Sequence, residues 1–136
     1  MNEIDRKIII ELKKDSRISN TNLAKKIKIS EGTIRNRVKK LQDNGTIKRF
    51  TVMLGTSTGF LAFVQIKTKT GSDIKKIIEF IRKIDPNQII YETSGDFDII
   101  MQLECESAEA FNEKIDGIRL MTGVADTNSL VILKVS

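Results

Sequence analysis

A chain of 136 residues with 40% hydrophobic and 30% charged positions is long enough for one domain or two small ones with ordinary cores. Its single cysteine and complete lack of histidine exclude an internal disulfide and a zinc site of Cys/His type, and no apolar run approaches the length that spans a bilayer. The net charge of +5 is unevenly held: residues 1–50 carry fourteen Lys/Arg against six Asp/Glu, while residues 51–136 carry nine against twelve, so the whole basic surplus lies in the N-terminal part. That asymmetry points to a polyanion-binding module joined to a module with another task. The acidic opening Met1-Asn-Glu-Ile-Asp5 does not follow a signal-peptide pattern, and a cytoplasmic protein without a membrane partner is expected.

Residues 4–14 place Ile4, Ile8, Ile9 and Leu12 on one side of about three helical turns, ending in the polar Lys13 to Arg17 stretch. Ser19 or Asn20 caps a second helix through about Ile27, whose apolar face is Leu23, Ala24 and Ile27. The small Ala24 suits a close helix crossing. Lys28-Ile29-Ser30 is a connection of helix-turn-helix length.

Ser30 caps a third helix, in which Ile34, Val38 and Leu41 recur at i, i+4, i+7 and face the core. The remaining positions, Thr33, Arg35, Asn36, Arg37, Lys39 and Lys40, form a surface rich in hydrogen-bond donors, the chemistry of a DNA recognition helix. Arg35, Asn36 and Lys39 are candidates for base edges or phosphates, and Thr33 for the first-turn contact. Ser30 and Lys40 extend the same surface. Glu31 is read as favouring the helix N-terminus. Arg37 lies beside the apolar stripe, so it either contacts DNA or pairs with an acid such as Asp5. Asn44-Gly45 then turns the chain, and Ile47 to Leu54 is expected to form a strand or hairpin, with Lys48 and Arg49 as the phosphate contacts of a wing.

Gly55 to Gly59 contains only small and polar residues and is taken as the linker, dividing residues 1–54 from residues 60–136. Beyond it the pattern predicts a strand over Phe60–Thr68 and a helix over Ser72–Lys83 with Ile74, Ile77, Ile78 and Ile81 inward. Strands follow over Gln88–Ser94 and Ile99–Glu104, then a helix capped by Ser107, and a last strand over Val124–Val135. This β-α-β-β-α-β order makes the fold class α+β: a winged helix-turn-helix domain followed by a ferredoxin-like domain with both helices on one face of an antiparallel sheet. The open sheet face calls for a second subunit, so a homodimer is expected.

Several segments together resemble the Lrp/AsnC, or feast/famine, family of transcriptional regulators over nearly the whole chain. They are Ile4 to Ile9, Asp15 to Ser19, Asn22 to Ile27, Ile29-Ser30, Arg37 to Leu41, Gly45 to Lys48, Ser94 to Asp98, and Gly123-Val124 with Thr127 and Ser129. The resemblance implies double-stranded DNA as partner, dimers that assemble further into tetramers or octamers, and an amino acid or similar small effector bound at interfaces between dimers. Carried over by position, the effector residues are Thr93, Gly95, Asp96, Asp98, Thr127 and Ser129. Ser129 stands where a Thr is more usual, and the Leu54 to Phe60 segment is shorter than in many relatives.

Without the resemblance, Gly95 to Asp98 reads as ordinary turn chemistry. No catalytic site, metal site or resident cofactor is expected. A small-molecule enzyme would have to work with Cys105 and Tyr91, no histidine and no GxxxxGK loop. The other alternative is a non-enzymatic architectural or metabolite-sensing protein of the same fold.

Overall fold

The computed structural model describes residues 1–136, which divide into two compact units, Met1–Met53 and Leu54–Ser136. In the first unit, α1 (Glu3–Lys14), α2 (Asn20–Ile27) and α3 (Glu31–Asp43) each begin at a side-chain cap. Asn2, Ser19 and Ser30 accept the backbone N–H of Asp5, Asn22 and Thr33, groups that have no partner within their own helix. Their apolar stripes converge on Ile8, Leu23, Ala24, Ile34 and Leu41, with Ile4, Leu12, Ile27, Ile29, Val38 and Ile47 packed around them. Ala24 is buried at this centre, and its carbonyl accepts N–H groups from both Lys28 (2.8 Å) and Ile29 (3.2 Å), so it anchors the turn between α2 and α3. Lys28 closes that turn in the left-handed region, at φ 64° and ψ 47°.

α3 ends at Asn44 and Gly45, whose φ of +77° lets the chain reverse. The N–H of Ile47 returns to the carbonyl of Leu41 at 2.8 Å. The strand or hairpin expected over Ile47–Leu54 does not form: no residue between Asn44 and Gly59 is in a paired strand. An eight-residue run without an internal turn cannot pair with itself, and Val52 and Met53 lie largely exposed. Lys48 and Arg49 therefore follow α3 on an unpaired segment and not on a wing strand.

The second unit is one antiparallel sheet in the order β2-β3-β1-β4, built from β1 (Phe60–Thr68), β2 (Ile90–Glu92), β3 (Ile99–Cys105) and β4 (Val124–Val131). The helices α4 (Ile74–Ile84) and α5 (Ala108–Arg119) both contribute to the core cluster on its inner face. There Ala62, Val64 and Ile66 of β1 and Ile99, Met101 and Leu103 of β3 meet Ile77, Ile81, Phe111, Ile115 and Ile118. Phe60 and Phe111 pack with ring centroids 4.9 Å apart at a tilt of 46°. The alternate residues Leu61, Phe63, Ile100 and Leu130 lie on the other face among polar neighbours, and Phe63 and Leu130 are in register with each other.

Some boundaries move. α4 starts at Ile74, two residues after the expected Ser72: Asp73 caps it, accepting from the N–H groups of Lys75 and Lys76, while the Ser72 hydroxyl donates to the carbonyl of Gly123. β2 keeps only three residues of the expected Gln88–Ser94, since it is an edge strand with β3 as its single partner. β4 stops at Val131, opposite Ala62, and the Ile132 N–H adds one last bond to the carbonyl of Leu61.

The supposed linker is partly fitted structure. Oε1 of Glu104 accepts the Thr58 hydroxyl at 2.9 Å and the Thr58 N–H at 3.2 Å, and the Ser57 hydroxyl donates to the carbonyl of Gly59 at 2.5 Å. A Cβ at Gly59 would stand 2.3 Å from the carbonyl oxygen of Cys105, so only glycine fits that position without movement.

Candidate functional site

On α3 the core-facing Ile34 and Leu41 leave Gly32, Asn36, Lys39 and Lys40 on the outward side, with Arg35 and Thr33 flanking them. The cap is doubly used: the Ser30 hydroxyl accepts the Thr33 N–H at 3.2 Å and lies 2.7 Å from the Thr33 hydroxyl. Ser30 and Thr33 thus form one polar pair at the N-terminal end, and because a hydroxyl both donates and accepts, the pair keeps capacity for a further partner.

The cations on this face differ in what they already hold. Arg35 donates to Oε1 of Glu31 at 2.6 Å, while Oε2 of the same carboxylate accepts the Thr21 hydroxyl of α2 at 3.2 Å. Glu31 therefore does more than favour the helix N-terminus: it links the first turn of α3 to α2 and aligns Arg35 along the helix. Lys39 pairs with Asp43 at 3.0 Å. Both pairs are well exposed, so each is weak and exchangeable for a stronger anion. Asn36, Lys40, Lys48 and Arg49 are exposed and make no side-chain hydrogen bond or ion pair within the chain.

Of the two roles left open for Arg37, the structure shows the internal one. Its guanidinium donates to Asp5 of α1 at 3.0 Å, and both side chains are largely shielded, at 29% and 17% exposed. The same region holds Lys28, which closes the turn, and the exposed Gly32 in the first turn of α3. The first shows no signal before its positive φ is seen, whereas the second was legible as a glycine inside a helix.

In the second unit, four of the six expected effector residues share the turn between β2 and β3. The Thr93 hydroxyl donates to the carbonyl of Phe97 at 2.9 Å, the Thr93 N–H to the carbonyl of Asp98 at 2.9 Å, and Gly95 takes φ +120°. Asp98 is occupied structurally: Oδ2 accepts the N–H (2.8 Å) and hydroxyl (2.9 Å) of Thr68, which holds its carboxyl below the usual carboxylate range. Asp96 is exposed.

Thr127 and Ser129 lie elsewhere, on the edge strand β4. Thr127 pairs in register with Ile66, and Ile66 with Ile99, so the turn and Thr127 share one end of the sheet but stand two strands apart, about 10 Å. Both β4 residues are on the helix side. Thr127 is nearly buried, and its hydroxyl accepts Nε of Arg119 at 2.9 Å. A single protomer thus does not bring the six residues into one pocket. An open cleft of about 780 Å³ includes none of the six and is lined by Lys69, Ser72, Lys76, Phe80, Leu120 and Met121, among others. No helix of the structure is long and apolar enough to cross a membrane.

Residues 1–48 match the model of a winged helix-turn-helix DNA-binding family, and residues 61–136 match that of the Lrp/AsnC ligand binding domain. The chain is 38% identical over 135 residues to the HTH-type transcriptional regulator LysM of Sulfurisphaera tokodaii, covering 99% of this chain and 96% of that one. Among solved structures it is similar to LrpC of B. subtilis (29% identity, TM-score 0.66, covering 98% and 95% of the two chains). It also shares the fold of a Neisseria meningitidis transcriptional regulator solved in complex with L-Met (22% identity, TM-score 0.68, covering 98% and 90%).

Proposed function

Since the chain belongs to the Lrp/AsnC family of transcriptional regulators and carries that family's ligand-binding domain, we propose that it binds duplex DNA sequence-specifically as a homodimer, with an amino acid or similar small molecule as effector. Residues 1–54 are the DNA-reading domain and residues 60–136 the sensing and dimerising domain. The observation that carries the proposal is the outward face of α3. Asn36 and Lys40 stand free there, Arg35 and Lys39 are held only by exposed carboxylates, and the apolar stripe is fully used against α1 and α2.

Arg35 suits the paired acceptors of guanine and Asn36 those of adenine, while Lys39, Lys40, Lys48 and Arg49 suit phosphates and Ser30 and Thr33 the near edge of the groove. Arg37 is left to Asp5. Two such helices in a symmetric dimer fit successive major grooves, so a pseudo-palindromic operator is expected. The open sheet face with Phe63 and Leu130 is the dimer surface. Because Thr93, Gly95, Asp96 and Asp98 stand apart from Thr127 and Ser129 in one protomer, the effector site is completed between subunits. The relative solved with L-Met supports amino acids as the class to test.

A duplex pool selected with the purified protein, then titrated between 50 and 200 mM salt, tests the DNA proposal (the range being about that over which phosphate contacts are read out). Log affinity should fall linearly with log salt, and Lys40→Gln should flatten the slope by about 1. Equal affinity for selected and random duplexes would favour an architectural coat, and a flat salt response would reject DNA binding. Thermal shift with the proteinogenic amino acids should show a concentration-dependent rise for the effector.

A further inference from the structure

We propose that Gly32 is the point of closest approach between the recognition helix and a base-pair edge, and that its missing side chain sets sequence discrimination. The inference rests on the DNA-binding role above and assigns a residue to it that neither charge nor hydrogen-bonding capacity would select.

A glycine within a helix is required when the backbone needs a positive φ, when another element packs too closely for a Cβ, or when the helix ends at its C-terminal side there. None of these holds at Gly32. It is the second residue of α3, eleven residues before the helix ends at Asp43, and it is absent from the glycines at positive φ, which are Gly45, Gly71, Gly95 and Gly123. A Cβ built on it meets no atom of the chain within 4 Å. The contrast with Gly59 is direct, since there the chain's own backbone occupies the space.

Gly32 also lies where an outside partner arrives. It precedes Asn36 by four residues and Lys39 by seven, so the three line one outward strip of α3, opposite Ile34 and Leu41. Ser30 and Thr33 present hydroxyls beside it, and Glu31 holds Arg35 along the adjacent flank. The first turn is the part of a recognition helix that contacts base edges. A bare backbone there lets the helix settle deep enough for Asn36 to reach its base, and a methyl group would hold the helix off.

The test uses the full-length protein and Gly32→Ala and Gly32→Val, with a duplex selected by the unsubstituted protein and a random-sequence duplex of equal length as probes. Gly32→Ala should leave the fold intact and raise the melting temperature by no more than about 4 °C. It should also weaken binding to the selected duplex by about ten-fold or more, the size of one lost base contact, with the random duplex affected less than two-fold. Gly32→Val should weaken it further. Unchanged affinity for the selected duplex in both variants overturns the proposal, and so does an equal loss on both duplexes, which is the signature of a phosphate contact. A protein that distinguishes no duplex before substitution overturns both this assignment and the regulator function on which it rests.

Discussion

Arg37 of α3 and Asp5 of α1 meet at 3.0 Å across thirty-two residues of sequence, both largely shielded from solvent. A basic residue of α3 is thereby made part of the mounting of that helix on α1. Arg37→Met should lower stability by roughly 0.5–1.5 kcal/mol, and Asp5→Asn by a similar amount, with the double variant less than additive. The slope of log affinity against log salt should stay unchanged in Arg37→Met. Denaturant melts combined with DNA titrations separate this from a phosphate contact, which would reduce the slope.

Lys28 holds the left-handed region at φ 64° between α2 and α3, where a side chain is disfavoured and glycine is not. Lys28→Gly should stabilise the protein by about 0.5–1 kcal/mol, and Lys28→Val should destabilise it. Urea midpoints at constant slope would show both.

In the second unit, Asp85 follows α4 and is nearly buried, accepting Nζ of Lys114 at 2.7 Å and Nε2 of Gln88 at 3.0 Å. Burial pushes its carboxyl up, but the hydrogen bonds from Lys114, Gln88 and the Asn87 N–H outweigh this and hold it below its ordinary value. The same bond raises Lys114. A lowered carboxyl stabilises the fold above its ordinary pKa and loses that contribution as pH falls through the folded value. A raised lysine stabilises below its ordinary 10.5 and loses it as pH rises through the folded value. Asp85→Asn should cost about 1–3 kcal/mol at neutral pH and weaken the acid limb of the stability profile, and Lys114→Gln should weaken the alkaline limb. Melting temperature against pH reads both.

Phe63 and Leu130 face each other on adjacent strands of the open sheet face, 37% and 51% exposed in one protomer. Phe63→Asp should halve the mass measured by light scattering at micromolar concentration, leave the far-UV spectrum unchanged, and weaken operator binding through the lost pairing of recognition helices. An unchanged mass would reject this face as the dimer surface.

The helices α2, α3 and α5 were legible because each carries its own start signal. Ser19, Ser30 and Ser107 cap where a cap was expected, and the spacing of Ile34, Val38 and Leu41 set the buried face of α3. What escaped depended on partners distant in sequence. The run Ile47–Leu54 has strand-like composition but nothing to pair with. β4 ends opposite Ala62 of β1, short of the expected Val135, and no local pattern encodes that end. The same holds for the candidate site: Asn36 and Lys40 were placed by helical periodicity alone, while the division of Arg35, Lys39 and Arg37 among Glu31, Asp43 and Asp5 needed coordinates. Asp98 and Thr127 border strands that β1 separates, a spacing that only the strand order reveals.

The strap formed by Ser57, Thr58 and Gly59 on Glu104 has a consequence for how this chain tolerates changes of length. Composition alone would allow insertions anywhere from Gly55 to Gly59. With Thr58 bound to Glu104 and Gly59 fitted against Cys105, one added residue after Thr58 would shift either Gly59 or Phe60 out of place, and with it the first rung of β1 against β3. The same residue added before Thr56 meets no such fitted neighbour. The permissive part of the connection is therefore its N-terminal end, and a series of insertions across residues 55–59 should divide sharply at Ser57 in folded yield.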